Sequence, residues 1–257
     1  MHLSPYLQLA LVRYVYNKLA TKNNSEKNIF LNYGYHDDIH LPLNPQDEPN
    51  RLFIQLYNHT IQNIDLQGKD IAEVGCGQGA GGLFLWQYKK PRSYIGVDLS
   101  EKAITFCQRH NKFTNVQWVQ GCADKLPIPD ESVDVVINIE SSHFYPSMKQ
   151  FISEVKRILR PKGYMAFADL RHFLQVDSLD QCFEASGLCV LQRSDITPQV
   201  LASLTHLSDR RKAYINSAFP ARWRQANREM SAVKGSPIYN GFINGQQMYL
   251  YYLLQKL

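Results

Sequence analysis

The sequence predicts an α/β fold built on a mostly parallel sheet, and two features carry this prediction. From Asp70 onwards, short runs rich in β-branched residues alternate with helical patterns, which is typical of a parallel sheet with helices on both faces. A glycine-rich stretch, residues 75–82, follows the first of these runs and opens a helix. The chain has 257 residues, of which 44% are hydrophobic, and this is enough to bury a sizeable core without disulfides.

The individual elements follow from hydrophobic periodicity. Strands are expected at residues 71–74, 94–97, 116–119, 133–139, 164–168, 188–192 and 248–254. Helices are expected between them at residues 82–88, 101–110, 148–159 and 179–186. The strands of such a sheet end at a common edge, where ligands bind in open α/β folds.

Helical segments are expected on both sides of this alternation. Apolar residues recur at helical spacing near the N-terminus, at Leu7, Leu11, Tyr14, Val15 and Leu19. Three prolines make residues 41–50 a loop, and a second helix follows it. The predicted organisation is a helical cap and lid at residues 1–66, a core at 67–196, a second helical cap at 197–245 and the final strand of the sheet at 246–257.

Composition and charge argue against several classes of protein. The net charge is only +5 and no block of five basic residues occurs, so a nucleic-acid partner is not indicated. The cysteines are odd in number and form no CxxC pair, which predicts a reduced, cytoplasmic protein. No apolar run reaches the roughly 18 residues of a membrane span, so stable membrane insertion is not expected. His36 and His40, with Asp37 and Asp38 between them, could suggest a metal site, but nothing supplies a spaced third ligand and no metal is expected.

The glycine-rich stretch gives the strongest functional signal. Glycines let the backbone approach a ligand, and the first turn of the following helix offers free N–H groups. The pattern contains G-x-G-x-x-G, which is also found in dinucleotide-binding folds. Glu73 argues against that ligand, because its charge would repel a pyrophosphate and attract an amino group or a sulfonium. Asp98 ends the second strand, where a carboxylate can accept hydrogen bonds from both ribose hydroxyls of either ligand.

These residues resemble a known family. The pattern E-x-G-x-G-x-G at residues 73–79, followed by V-D-L at 97–99, is similar to the class I S-adenosylmethionine-dependent methyltransferases. Residues 119–127 occupy the place of the family's adenine-binding segment, and residues 134–143 resemble its fourth-strand motif. The resemblance implies a Rossmann-like, seven-stranded, mostly parallel sheet with an antiparallel last strand. It also implies S-adenosyl-L-methionine as the cofactor.

The resemblance implies a set of cofactor-binding residues, with one departure from the family pattern. The set is Tyr33, in an N-terminal lid, with Glu73, Gly75, Gly77, Asp98, Leu99, Cys122, Ala123, Asp124 and Asn138. Relatives carry an acidic residue where this chain has Cys122, and a thiol is a poor hydrogen-bond partner for the adenine amino group. Either Asp124 takes that role, or the adenine rests on the Ala123 backbone and its apolar neighbours.

A narrower resemblance indicates the catalytic residues. Residues 138–146, together with 168–171, are similar to bacterial small-molecule O-methyltransferases, nearest to those that modify phthiotriolone-type polyketide lipids. His143 lies just past the fourth strand, and Asp169 is expected to end the neighbouring fifth strand. An imidazole can accept a proton at neutral pH, so His143 is expected to be the general base. Asp169 is expected either to orient that imidazole or to be the base itself.

The predicted function is O-methylation of a hydroxyl on a small-molecule, lipid or polyketide-like acceptor. The expected C-terminal cap is rich in aromatic residues, at Tyr214, Phe219, Trp223, Tyr239 and Phe242. An apolar roof of this kind favours a bulky acceptor over a bare sugar. Methylation of carbon or nitrogen, and a non-catalytic module that only binds the cofactor, remain as alternatives. A homodimer is compatible with the sequence.

Overall fold

A computed structural model describes residues 13, 14, 17, 30–39, 41–111 and 113–257 of the chain. The helix expected from the spacing of Leu7 to Leu19 lies almost wholly outside the described residues, and so does His40.

Seven strands form one sheet. They are β1 (Asp70–Val74), β2 (Ser93–Asp98), β3 (Val116–Gln120), β4 (Val133–Ile139), β5 (Leu159–His172), β6 (Cys189–Asp195) and β7 (Gln247–Gln255). Their order across the sheet is β3-β2-β1-β4-β5-β7-β6. Neighbours pair in parallel from β3 to β5, whereas β7 pairs antiparallel with both β5 and β6. The expected mostly parallel sheet with an antiparallel last strand is confirmed.

Helices flank the strands of the core. They are α1 (Arg51–Ile61), α2 (Ala80–Phe84), α3 (Glu101–His110), α4 (Met148–Ile158) and α5 (Val176–Glu184). The shortest of them, α2, continues as a wider helical turn over Leu85–Lys89. Ser100 and Ser147 begin α3 and α4, because each hydroxyl accepts a backbone N–H three residues later.

Apolar side chains pack on both faces of the sheet, as the alternating side chains of β1 illustrate. Successive side chains of a strand point to opposite faces. Ile71 and Glu73 therefore share the face that α1 covers, while Ala72 and Val74 share the face that α4 covers. Because both faces are buried, the central strands read as nearly continuous apolar runs.

The fifth strand is much longer than the sequence predicts. A strand was expected at residues 164–168, but β5 extends over Leu159–His172. The extension beyond residue 168 follows from β7, which pairs with β5 from Tyr164 as far as His172. At the other end of β5, Leu159 pairs with Val133 of β4. Asp169 was expected to end the strand and lies inside it instead. The pairing of β4 with β5 stops at Ala168, so Asp169 still lies just beyond the end of β4.

The expected helical segment after the sixth strand is present. It consists of α6 (Thr197–Ala218), α7 (Ala221–Met230) and α8 (Pro237–Ile243). Proline occupies the first turn of α6 and of α8, where its missing N–H leaves no helical hydrogen bond unmade. Among the described residues, no helix combines the length and the apolar character needed to cross a membrane.

Candidate active site

A cavity of about 400 Å³ opens at the edge where β1, β2 and β4 end. Its walls come from the glycine-rich loop, from the ends of β2 and β4, from residues 121–123 and from the cap residues Met230 and Ile238. This volume lies in the range of small-molecule binding sites. The location is the one expected for ligands in an open α/β fold.

The glycine-rich loop exposes its backbone to the cavity. Gly75 and Gly77 line the cavity and have φ values of +81° and +53°, in the left-handed region that favours glycine. A Cβ atom at Gly75 would lie 2.3 Å from Oγ of Ser141. No side chain could therefore replace the hydrogen of Gly75 without displacing the loop after β4.

Asp98 links the end of β2 to this loop. Its Oδ2 accepts the N–H of Gly77 at 2.8 Å, and its Oδ1 accepts the N–H of Ser100 at the same distance. Burial raises the pKa of Asp98, although these N–H groups favour the carboxylate. Asp98 and the adjacent Leu99 both line the cavity, which places a carboxylate at the wall expected to meet the ribose.

Glu73 lies outside the residues that line the cavity, which differs from the expectation that its charge meets the ligand. Its carboxyl is 1% exposed and accepts hydrogen bonds from the hydroxyls of Tyr57, at 2.6 Å, and Tyr94. The alternation of β1 turns this side chain toward α1 and away from the loop. Burial raises the pKa of Glu73 to about 7, against the effect of the two hydroxyls.

We expect Glu73 to make folding stability depend on pH. Because its pKa rises from 4.5 in a free chain to about 7 in the fold, the unfolded chain releases this proton first, and stability falls as pH rises between those values. The change amounts to about 3 kcal/mol at most. Glu73→Gln should remove this loss, so that between pH 5 and pH 8 its melting temperature falls about 5–10 °C less than that of the wild type.

The matched control is Glu184→Gln, which changes an exposed glutamate at the end of α5. Thermal unfolding of the three proteins at both pH values makes the comparison. A Glu73→Gln variant whose melting temperature follows the wild-type pH dependence would show that this carboxyl is ionised in the fold.

Only part of the segment that is expected to bind adenine lines the cavity. Cys122 and Ala123 line the cavity, whereas Asp124 does not. Burial raises the pKa of the half-buried Cys122 thiol, and the hydrogen bond to Asp124 acts in the same direction. The neutral thiol is thus a weak acceptor at the position where the family resemblance led us to expect an acid.

Two substitutions separate the open alternatives for the adenine contact. Cys122→Asp should tighten S-adenosylmethionine binding about tenfold, because a charged acceptor hydrogen-bonds an amino group more strongly than a thiol does. Asp124→Asn should leave the dissociation constant within about threefold. The measurement is titration calorimetry. A weakened Asp124→Asn variant beside an unchanged Cys122→Asp variant would assign the contact to Asp124.

Asn138 supports the loop from behind and does not line the cavity. Its Nδ2 carries two hydrogens and lies within hydrogen-bond distance of three acceptors: the carbonyl of Val74 at 2.9 Å, Oγ of Ser141 at 2.8 Å and the hydroxyl of Tyr145 at 3.0 Å. These contacts join the end of β1 to the loop after β4. Ser141 and Tyr145 line the cavity, and sequence reasoning missed both.

Tyr33 lines the cavity in the segment before α1 and is fixed at three points. Its N–H donates to Oε1 of Glu140 at 2.6 Å, and its hydroxyl donates to the carbonyl of Met230 at 3.0 Å. Its carbonyl accepts the hydroxyl of Ser203 at 2.9 Å. The segment therefore connects the β4 loop to helices α6 and α7, as a lid over the cofactor would.

His143 and Asp169 form a hydrogen-bonded pair. Nδ1 of His143 lies 2.7 Å from Oδ1 of Asp169, and the backbone N–H of His143 donates to Oδ2 at 2.9 Å. The hydroxyl of Ser142 donates to Oδ2 at 2.5 Å, and the guanidinium of Arg171 lies 3.1 Å from it. Burial disfavours the charge of Asp169, but His143 and Arg171 outweigh it and hold its pKa below the usual range.

The pair presents only its imidazole to the cavity. The side chain of His143 is 22% exposed and lines the cavity, whereas that of Asp169 is 0% exposed and does not. With Nδ1–H donated to the carboxylate, Nε2 of His143 is the nitrogen free to accept a proton.

The cap contributes aliphatic rather than aromatic side chains to the cavity. None of the five expected roof aromatics lines it, and Phe219, Tyr239 and Phe242 are buried within the fold. Met230 and Ile238 meet the cavity instead. The expectation of an aromatic roof is therefore wrong for this cavity, although the wall remains apolar.

Comparison with known proteins agrees with this geometry. A family model described as a methyltransferase domain matches residues 72–167. The chain is 35% identical over 246 residues to a phthiotriol/phenolphthiotriol dimycocerosates methyltransferase of Mycobacterium tuberculosis, covering 95% of this chain and 91% of the relative. It is 36% identical to a fatty-acid O-methyltransferase of Mycolicibacterium smegmatis, covering 82% and 77% of the two chains.

A solved structure supports the fold. The chain superposes on a putative sarcosine dimethylglycine methyltransferase from Galdieria sulphuraria with a TM-score of 0.72 and 16% identity, covering 94% and 98% of the two chains. The glycine-rich loop and Asp98 thus lie in a fold shared with that protein, and relatives match this chain over nearly its whole length. The chain belongs to the S-adenosylmethionine-dependent methyltransferases.

Proposed function

We propose that this methyltransferase acts on a hydroxyl of an apolar small-molecule or lipid acceptor, with His143 as the general base. The observation that carries the proposal is the orientation of the imidazole. Nδ1 is bonded to the buried carboxylate of Asp169 at 2.7 Å, and the ring lines the cavity. The proton of the acceptor hydroxyl would pass to Nε2 as its oxygen takes the methyl group.

The residues present fit the cofactor. The backbone of Gly75 and Gly77 lets the cofactor approach closely, and Asp98 supplies a carboxylate for its ribose hydroxyls. Cys122 and Ala123 form the wall against which its adenine ring would lie. Bound there, S-adenosylmethionine supplies a methyl group already activated on a sulfonium. The chain's own residues then have to align the acceptor oxygen with it and remove a proton.

Asp169 acts as the orienting partner in this proposal. Its oxygens are occupied by His143, Ser142, the N–H of Leu170 and the charge of Arg171. A carboxylate so stabilised is a poor proton acceptor, and it does not line the cavity. Its contact with Nδ1 fixes the tautomer that leaves Nε2 without a proton.

Much of the cavity wall is apolar. Its apolar side chains include those of Leu31, Phe144, Leu170, Met230 and Ile238, and the ring of Phe144 lies against the imidazole of His143, with 4.0 Å between the ring centroids. Two relatives are named for lipid acceptors, a fatty acid and phthiotriol dimycocerosates. Apolar walls and lipid-modifying relatives together favour a long, water-insoluble acceptor over a sugar.

The test is methyl transfer from S-adenosylmethionine labelled in the methyl group to hexadecan-1-ol, palmitic acid and a cell lipid extract. We expect a labelled methyl ether or ester, identified by mass spectrometry. The ether should be lost in His143→Ala, whereas the ester forms from a carboxylate that is already ionised and needs no base. A product whose mass-spectrometric fragmentation places the labelled methyl group on carbon would show carbon methylation. A chain that binds the cofactor but labels nothing, even in the extract, would indicate a binding module without catalysis.

A further inference from the structure

A second polar group, Glu140, reaches the cavity from the same loop as His143. Glu140 is the first residue after β4 and lines the cavity three positions before the imidazole. Its φ of +46° lies in the left-handed region, which costs a non-glycine residue about 1 kcal/mol. A strained residue at the wall of a binding cavity suggests a role beyond packing.

The hydrogen bonds of Glu140 are concentrated on one oxygen. The N–H of Tyr33 donates to Oε1 at 2.6 Å, and the hydroxyl of Tyr249 donates to the same atom at 2.9 Å. Within the part of the chain that the structure describes, no hydrogen bond reaches Oε2. One oxygen therefore anchors the side chain, and the other is available to a group in the cavity.

The surroundings keep this carboxyl protonated near neutral pH. Several charged or titratable groups face it, namely Tyr33 in the lid, Tyr57 on α1, Asp169 on β5, Arg211 on α6 and Tyr249 on β7. Burial raises the pKa of Glu140 to about 8, with Asp169 acting in the same direction and Arg211 against it. Because Oε1 accepts two donors, the proton belongs on Oε2.

We propose that Oε2–H of Glu140 donates a hydrogen bond to a second oxygen of the acceptor, such as a carbonyl, ether or additional hydroxyl near the methylated position. This inference rests on the proposed function and narrows its substrate class. A simple alcohol would leave a buried donor without a partner, which costs about 1–3 kcal/mol. An oxygen-bearing neighbour would satisfy that donor and fix the register of a long acceptor against His143.

The test compares probes that differ only in one oxygen. We would measure binding of undecan-1-ol and of its ether analogues 2-octyloxyethanol, 3-heptyloxypropan-1-ol and 4-hexyloxybutan-1-ol, which have the same chain length. An ether oxygen only accepts hydrogen bonds, so it reports a donor in the cavity. Calorimetry on protein saturated with S-adenosylhomocysteine gives each dissociation constant at pH 6.5 and pH 9.5, without requiring turnover.

The preference for an ether is the dissociation constant of undecan-1-ol divided by that of the ether. In the wild type we expect this ratio, for at least one ether, to fall about tenfold between pH 6.5 and pH 9.5, because Glu140 loses its Oε2–H donor. Glu140→Gln keeps an N–H donor that does not titrate, so it should keep the preference for the ether at both pH values. Because every other titratable group is unchanged in this variant, it separates the effect of Glu140 from theirs. Glu140→Leu should lack it at both. Glu184→Gln, on the surface, should behave as the wild type.

A preference that does not change with pH in the wild type, or that falls equally in Glu140→Gln, would overturn the assignment to Glu140. These results are independent of the outcome of the labelling experiment. If methyl transfer occurs but the preference for the ether does not change with pH, only the proposed role of Glu140 is wrong. Conversely, a Glu140-dependent preference without any methylated product would remove the proposed reaction and leave the oxygen-binding position standing.

Discussion

Replacing His143 with alanine should lower kcat by about 10²–10⁴, the usual contribution of a positioned general base. The imidazole is held by Asp169 at 2.7 Å and lines the cavity, so its loss removes the proton acceptor without altering the glycine-rich loop. The affinity for S-adenosylmethionine should therefore stay within about threefold. Steady-state kinetics and calorimetry on the same preparation measure the two quantities.

Further variants check that this loss belongs to the chemistry. His206→Ala, which removes an exposed histidine from α6, is the matched control and should keep the wild-type kcat. Asp169→Asn should lower kcat less than His143→Ala if the carboxylate only orients the ring, and at least as much if it is the base. A His143→Ala enzyme with nearly full kcat would show that alignment alone drives the transfer.

Local patterns in the sequence were sufficient for most of the core. The strand at residues 133–139 and the helix at 101–110 have the bounds that periodicity predicts. Both are bounded by local signals, as where Ser100 caps the helix. The polar end of β5 could not be found in this way. Asp169 and the three residues after it are extended because β7, nearly eighty residues later in the chain, pairs with them.

The same distinction between local and distant information explains the site. The glycine-rich loop, Asp98 and His143 were found because each follows a recognisable strand. Glu73 was expected to meet the ligand, but its position in the alternation of β1 directs it to Tyr57 and Tyr94. The direction of the Glu73 side chain depends on which helix covers each face of β1, and local sequence patterns do not reveal this arrangement.

Glu140 was missed for a related reason. Its partners are Tyr33 and Tyr249, which are 107 and 109 residues away in the chain. The only local signal was a charged residue directly after an apolar strand, at the edge where ligands bind. Two hydrogen bonds from distant segments turn that signal into a defined side-chain position, and only the tertiary structure supplies them.

Replacing Asp98 with alanine should weaken S-adenosylmethionine binding by about 1.5–3 kcal/mol, or roughly 10- to 150-fold in the dissociation constant. The carboxylate lines the cavity, and we propose that it accepts both ribose hydroxyls. It also accepts the N–H groups of Gly77 and Ser100, each at 2.8 Å, so alanine would release the glycine-rich loop as well. Calorimetry with the cofactor and with S-adenosylhomocysteine measures the loss.

Asp98→Asn separates these two contributions. An asparagine keeps one oxygen to accept an N–H of the loop but carries no charge, and its second position is a donor. If ribose binding is the main role, Asp98→Asn should lose nearly as much affinity as Asp98→Ala while its melting temperature stays closer to that of the wild type. If organising the loop is the main role, affinity and melting temperature should recover together. Unchanged affinity in both variants would contradict the ribose assignment, because it would mean that the carboxylate at the end of β2 contributes nothing to binding of the cofactor.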